Sequence, residues 1–294
     1  MNLNSQTSTC IICGNANIRY RHNWLFRCTA CGFLSSALET RINLASVQID
    51  EQKREYALNN LRRRNFESIL DWLAETGLKE SALILEVGCG HGWFLAAARH
   101  RGYQAVGIEP DVNIAAMAQA NGAAVRTGYF PGAIVPGEKF DAIVFNDVFE
   151  HLTDPASAWS QVESSLAPSG LVAINLPLAT GFIYRFADIL DRVGCHGPLE
   201  RMWQLGFPSP HRSYFSAAQL SALAERHGFK ECVRRSLPSL TVSGLWQRLR
   251  YDPTQSTLFA AMMWPFLVVF TPLLRFLPAD IGVQIFVPRL ERKT

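Results

Sequence analysis

The sequence has little net charge. Lys and Arg number 28 against 25 Asp and Glu, a balance of +3, too weak for an electrostatic grip on nucleic acid. It has no low-complexity tract and no internal repeat beyond two similar cysteine knuckles, and its composition excludes intrinsic disorder, collagen and coiled coil. No apolar stretch precedes the first cysteine, Cys10, so no secretory signal is read and the chain is expected on the cytoplasmic side. Between Pro253 and Leu274 charge is missing altogether. What is there suffices for a sizeable core: 294 residues, 48% of them apolar, make one large domain and something small.

Three zones follow. Residues 1–40 hold two cysteine pairs, residues 50–236 alternate apolar runs with helical patterns, and residues 253–274 are uncharged. In the middle zone residues 83–87, 105–108, 123–126, 142–145 and 171–176 read as strands. Residues 93–101, 112–120 and 156–166 read as helices, the last with Asp154 as N-cap and Pro155 at the first helical position. This alternation is the signature of βαβ units and a mostly parallel sheet. Ahead of it, residues 54–75 place Tyr56, Leu61, Phe66, Ile69, Leu70 and Leu73 at helical spacing.

The stretch Glu86-Val87-Gly88-Cys89-Gly90-His91-Gly92 closes a strand and opens a helix. Alternate glycines let the backbone turn sharply and let a ligand approach it with no Cβ in the way. A dinucleotide fingerprint carries G-x-G-x-x-G and seats a pyrophosphate on the helix N-terminus. Here G-x-G-x-G follows an acid, which repels a pyrophosphate and suits a cationic or zwitterionic ligand. Glu109 ends the next strand, where a carboxylate accepts hydrogen bonds from both ribose hydroxyls. The implied ligand is a nucleoside without phosphates.

With the run Phe140-Asp-Ala-Ile-Val-Phe-Asn-Asp-Val-Phe-Glu-His-Leu-Thr-Asp-Pro155, these residues resemble the class I S-adenosylmethionine-dependent methyltransferases, and within them the ubiquinone-type O-methyltransferase-like group. The resemblance covers roughly residues 56–236. It implies an α/β fold, a doubly wound, mostly parallel seven-stranded Rossmann-like methyltransferase sheet. It also implies S-adenosyl-L-methionine as cofactor, with Glu86, Gly88, Cys89, Gly90, Gly92, Glu109, Asn146 and Asp147 around it. The sequence departs from the pattern after the third strand, where Thr127-Gly128-Tyr129-Phe130 replaces the acid that often meets the adenine amino group. Adenine recognition then falls to backbone and to Tyr129 or Phe130.

After the fourth strand Asp147, Glu150 and His151 stand at i, i+3 and i+4, one face of a helical turn. A hydroxyl must lose its proton as a methyl group arrives, and a His of near-neutral pKa can take it. A divalent cation near Asp147, Glu150 and His151 would instead lower the hydroxyl's pKa. The bland alternative is that Glu150 and His151 only cap the turn. By the resemblance, His211 is a second candidate base facing the acceptor pocket, so the expected catalytic set is Glu150, His151 and His211. His91, His100, His196 and His227 read as ordinary polar residues, and the thiols of Cys89, Cys195 and Cys232 as packing groups.

Cys10-Ile-Ile-Cys13-Gly and Cys28-Thr-Ala-Cys31-Gly are two C-x-x-C-G knuckles fourteen residues apart. Four thiolates at this spacing surround one tetrahedral zinc and leave no open position, hence a structural site; the spacing also suits iron. The zone is too short to bury a core, so the metal is expected to supply its folding energy.

The uncharged run spans twenty-two residues with Pro265 and Pro272 inside it, marginal for a membrane span. Strands at 231–236 and 283–287 flank it, and pairing both in one sheet excludes a single crossing. The expectation is a monotopic segment in the membrane interface with Arg248, Arg250, Arg275 and Arg289 near headgroups. The alternative is a helical pair that closes the pocket or joins two copies. Aromatics at 183–186 and 202–205 are expected to add a greasy lid. The division is therefore a zinc ribbon at 1–40 and a methyltransferase domain at 50–294 with an apolar insert at 253–278. The expected activity is O-methylation of a lipid-linked, isoprenoid or cell-surface glycan precursor, or of a small-molecule acceptor, by an enzyme peripheral or monotopic on the membrane. The rival is a membrane-attached binding module that keeps the fold and transfers nothing. No nucleic-acid partner is expected, and the oligomeric state is not legible.

Overall fold

A computed structural model describes residues 9–44, 51–242, 245–250 and 257–289, and for residues 51–60, 247–248, 250 and 258–259 the backbone alone. The N-terminal zone forms β1 (Asn17–Tyr20), β2 (His22–Cys28) and β3 (Leu34–Ser36), with β2 antiparallel to both neighbours. Next come α1 (Glu51–Glu75), β4 (Leu83–Val87), α2 (Trp93–His100), β5 (Gln104–Glu109), α3 (Val112–Ala120), β6 (Val125–Thr127) and β7 (Phe140–Asn146). A 3-10 turn at Phe149–His151 leads to α4 (Pro155–Ser165), β8 (Leu166–Pro177), α5 (Phe182–Arg192), α6 (Gly197–Met202) and the two-residue β9 (Ser213–Tyr214). The chain closes with α7 (Ala217–Arg226), β10 (Phe229–Leu237), α8 (Leu245–Arg250), α9 (Thr257–Phe270), a 3-10 turn at Thr271–Phe276 and β11 (Ile281–Pro288).

Local chemistry sets the helix starts. Asp111 accepts from the backbone N–H groups of Asn113 and Ile114 to cap α3, and Asp154 does the same for Ser157 ahead of Pro155 in α4. Ser216 and Gln219 form a reciprocal capping box on α7.

Seven strands pair in the order β10-β11-β8-β7-β4-β5-β6. The expected doubly wound sheet is present, with β11 antiparallel to β10 and β8 and the other pairings parallel. One face packs under α1 and α2 through Phe66, Ile69, Leu70, Leu73 and Phe94. The other packs under α4 and α7 through Trp159, Val162, Leu220 and Leu223, and this cluster also contains Cys10, Ile12, Cys28 and Phe33. The side chain of Tyr56, expected on the packing face of α1, lies outside the described residues.

The N-terminal zone thus draws on the core of the large domain. Its β3 pairs with β9, Leu34 opposite Tyr214 and Ser35 opposite Ser213, giving a second sheet ordered β1-β2-β3-β9. Metal is therefore not its sole source of folding energy.

Leu237 pairs with Ile281, and Ile281 with Pro177. The apolar segment accordingly leaves and re-enters the sheet at one end, the carboxyl end of β8. That is the end where ligands bind in doubly wound sheets.

Candidate cofactor and acceptor site

The glycine loop joins β4 to α2 across the carboxyl edge of the sheet. Gly88, Gly90 and Gly92 all have positive φ, +69°, +50° and +75°, a region that glycine enters without a Cβ penalty. Their reasons differ. A Cβ at Gly88 would meet Val148 Cγ2 at 2.5 Å and one at Gly92 would meet Ala123 Cβ at 2.8 Å, whereas one at Gly90 would meet nothing within 4 Å. Gly90 therefore faces open cleft.

Glu109 braces this loop. Its Oε2 accepts from Gly90 N–H and its Oε1 from Asp111 N–H, both at 2.9 Å. Across the cleft Asn146 Nδ2 donates to Glu86 Oε1 at 2.8 Å. Glu86 Oε2 and Asn146 Oδ1 are buried without a hydrogen-bond partner. Burial pushes the Glu86 carboxyl up to about 8, against a pull downward from Asn146 and Arg62. Buried acceptors without donors mark a place where a ligand supplies them.

Three cleft residues were not legible as such. Arg62, from α1, reaches within 3.8 Å of Asp147 Oδ2 and lines the cleft with Trp93 and His91. The His91 ring stacks on Trp93 with centroids 5.2 Å apart, so it is not the ordinary polar residue expected. Asp147 has φ +54° and turns the chain away from β7, its N–H donating to Asn175 O at 2.9 Å. At the adenine end, Phe130 turns inward against Phe145, 5.7 Å between ring centroids, while Tyr129 is exposed. The Cys89 thiol is buried and packs in the core on the α2 side of the sheet.

The 3-10 turn after β7 holds Glu150 and His151, and His211 arrives from the segment before β9. Glu150 Oε1 lies 3.9 Å from both His151 Nε2 and His211 Nε2, and the two imidazoles meet edge to face at 4.6 Å. His151 Nδ1 is 3.0 Å from the Pro210 carbonyl, which places the proton on Nδ1. Glu150 is buried, and its carboxyl is held well above the usual range by burial and by Asp147. Burial and His151 hold His211 well below its ordinary value. His211 is closed off from solvent, its Nε2 2.9 Å from Gln204 Nε2 and its Nδ1 unpartnered. It therefore supports the His151 ring and does not face an acceptor directly. The metal-competent trio assembled here is Glu150, His151 and His211, not the expected Asp147, Glu150 and His151. Asp147 points toward Arg62 instead.

The four knuckle cysteines converge. Their Sγ atoms lie within 4.8 Å of one another, with Cys10 to Cys31 at 3.6 Å and Cys13 to Cys28 at 3.4 Å. A tetrahedral zinc with bonds of about 2.3 Å separates its sulfurs by about 3.8 Å. Ile12 N–H and Ala30 N–H each point at a sulfur at 3.4 Å, and Gly14 and Gly32 take the positive φ that this knuckle needs. Asn15 pulls the Cys13 thiol down to about 6.

Beside the site, the exposed face is apolar. On α5 the inward stripe is Tyr184, Ala187 and Asp191, while Phe186, Ile189 and the following Val193 are each more than half exposed. On α9 and its 3-10 extension Met262, Phe266, Val269 and Leu273 repeat the same spacing outward. Phe182 joins the two, its ring 5.6 Å from Phe270. Among the described residues no helix is long and apolar enough to cross a membrane.

Two expectations about this region fail. Tyr184 and Trp203 are buried against Leu25 and Tyr214, because each finds a polar partner there, Trp203 Nε1 donating to Tyr184 Oη. They belong to the core and not to an exposed lid. Arg289 pairs with Glu225 at 3.5 Å past the end of β11, about 26 Å of strand beyond Ile281, where the chain returns from the apolar segment. The side chains of Arg248 and Arg250 lie outside the described residues, which leaves Arg275, stacked over Phe276 at 4.6 Å, beside that segment.

Known proteins agree with this architecture. A ubiquinone biosynthesis O-methyltransferase of Rhodopseudomonas palustris (strain TIE-1) is 30% identical over 100 residues, 32% of this chain and 40% of that protein. C-methyltransferase NovU of Streptomyces niveus is 25% identical over 163 residues, 52% of this chain and 34% of that protein. The chain thus spans about two fifths of the first relative and about a third of the second. The cyclopropane synthase MmaA2 of Mycobacterium tuberculosis shares the fold, with a TM-score of 0.51 at 17% identity over 85% of this chain and 90% of that one. The methyltransferase domain family matches residues 59–233. With that match over more than half its length, the chain belongs to the methyltransferase domain family.

Proposed function

We propose that the protein is an S-adenosylmethionine-dependent methyltransferase that methylates a hydroxyl group of a lipid-linked precursor, isoprenoid or glycan, at a membrane surface. The observation that carries this reading is the glycine cradle at the carboxyl edge of the sheet, ringed by the unpartnered acceptors Glu86 Oε2 and Asn146 Oδ1, with the Glu150–His151 turn following directly after Asp147 in the same chain segment.

The residues fit the cofactor. Glu86 Oε2 and Asn146 Oδ1 lack donors, which an ammonium group supplies. Glu109 is a carboxylate at the end of β5, the place from which ribose hydroxyls are bound in doubly wound sheets, and Gly90 leaves the backbone open to a flat ligand. When bound, the cofactor supplies an electrophilic methyl on sulfur and a neutral leaving group. The protein's task is then to orient, to exclude water and to take one proton. His151 takes the proton at Nε2, and the Pro210 carbonyl keeps its ring in register. Burial raises the Glu150 carboxyl's pKa, and a carboxyl so raised suits a hard divalent cation poorly.

The cysteine cluster fits a structural zinc: four thiolates, near-tetrahedral spacing and amides aimed at sulfur. The apolar stripes of α5 and α9 lie at the carboxyl end of β8, and exposed apolar faces there support a lipid-borne acceptor and peripheral or monotopic attachment. The test is incubation with methyl-labelled S-adenosylmethionine and a cell extract split into lipid, polysaccharide and soluble fractions. Label in the lipid fraction, absent with His151→Ala, is the expected result. Label confined to the soluble fraction overturns the lipid-borne acceptor, and no label in any fraction favours a binding module that transfers nothing.

A further inference from the structure

Away from the cleft the fold assembles a second group of metal-competent side chains. The β1–β2 turn sets Arg21 and His22 against the end of α5 and the start of α6. There His22 Nε2 and His196 Nδ1 each lie 2.7 Å from Asp191 Oδ1, and the three donor groups fall within 4.8 Å of one another. We propose that these three residues form a binding site for one divalent transition-metal ion of the zinc class, distinct from the four-cysteine cluster.

The donor set decides the class. Two imidazoles and one carboxylate suit zinc, cobalt or nickel, while calcium and magnesium want oxygen ligands throughout. The supporting shell is also present. Arg21 Nη1 holds Asp191 Oδ2 at 2.8 Å, so Oδ1 is the oxygen turned to the imidazoles and the carboxylate acts through one atom. The His22 ring is fixed by stacking on Trp24, centroids 5.1 Å apart. The rings of His22 and His196 stand at 89° to each other, so their nitrogens converge on Asp191 and the rings do not stack. Asp191 is 4% exposed, a carboxylate taken from water and aimed at two ligand nitrogens. His196 is half exposed at its side chain, which provides the entry path. Oriented ligands, a charged partner that fixes the carboxylate and access are what a metal site requires.

The Glu150 trio lacks two of these features, since its nitrogens stand 3.9 Å from the carboxylate and His211 is sealed. A metal at Asp191 would bridge residues 169 apart in sequence and fasten the N-terminal sheet to the helix that carries the outward apolar stripe. No part of this inference depends on which acceptor is methylated.

The experiment uses the full chain with its cysteine cluster loaded with zinc, titrated with cobalt(II) alone. The expected result is uptake of one cobalt per chain with the weak visible bands of nitrogen and oxygen ligation and without sulfur charge-transfer bands. His196→Asn, at an exposed position, and separately His22→Asn should each weaken that uptake at least about tenfold. The charge-transfer bands of cobalt loaded into the cysteine cluster should be unchanged in both. Absence of cobalt uptake outside the sulfur bands in the unaltered chain overturns the site, as does equal uptake in the two variants.

Discussion

The two halves of the cleft are built in different ways. The proposed cofactor half comes from strand ends and the turns after them: Glu86 through Gly92, Glu109 and Asn146 sit where β4, β5 and β7 deliver them. The proposed acceptor half needs partners from far away. Ser36 Oγ donates to the His211 carbonyl at 2.7 Å and Ser36 N–H to the Arg212 carbonyl at 2.9 Å, and Gln219 Nε2 donates to Cys31 O at 2.9 Å. The N-terminal sheet therefore holds the segment that presents His211 to His151. Damage to that sheet should reach acceptor chemistry before it reaches cofactor binding.

The largest effect that would sharpen this contrast is on turnover. His151→Ala should lower kcat by about 10² to 10⁴ while cofactor affinity, measured by calorimetry, stays put. Next in size is Phe33→Ala. The ring is buried 5.0 Å from Phe215, and its removal should cost about 3–5 kcal/mol in urea unfolding, with acceptor turnover falling further than cofactor affinity. Equal loss of both would mean that the halves are not separable.

Gly90→Val acts on the other side. Its Cβ meets no protein atom, so the fold should bear only the left-handed strain of about 1–2 kcal/mol. The new side chain fills the cleft, and cofactor affinity should drop by about a hundredfold, close to 3 kcal/mol. A melting temperature that collapses along with affinity would show the glycine to be structural.

The subtlest effect per pH unit is a pH dependence of cofactor affinity. Glu86 keeps its proton up to about 8 in the fold against 4.5 for an ordinary Glu. The neutral carboxyl's contribution to stability is therefore full below about 4.5 and lost as pH rises toward 8. A ligand carrying an ammonium group favours the ionised carboxylate, so affinity should climb with pH by up to about tenfold per unit until about 8. Calorimetry in buffers of different ionisation enthalpy should record proton release on binding, and Glu86→Gln should abolish it.

How much of this was legible follows from how local each element is. Strand β4 and helix α3 match their predicted bounds, and Asp154-Pro155 marks the start of α4, because capping and periodicity are written within a few residues. The glycine loop and Glu109 were legible for the same reason. The pairing of β3 with the two-residue β9 was not, since it joins segments nearly 180 residues apart with no periodic signal of its own. Nor was the inward turn of Tyr184 and Trp203: α5 turns Phe186 and Ile189 outward and seats Tyr184, Ala187 and Asp191 inward, the reverse of what an apolar stripe alone suggests. Arg62 was hidden because a helix pattern gives the buried stripe of α1 but not which of its polar residues overhangs the cleft. His196 read as an ordinary polar residue because its partners, His22 and Asp191, lie on other elements.

The central claim, that one half of the cleft holds the cofactor while the other takes the proton, is tested most directly by a crossed measurement. S-adenosylmethionine affinity and methyl transfer would be measured on His151→Ala and Gly90→Val side by side. The account predicts that His151→Ala binds the cofactor as the unaltered chain does and transfers nothing, while Gly90→Val fails to bind it. Equal loss of cofactor affinity in both variants would contradict the account.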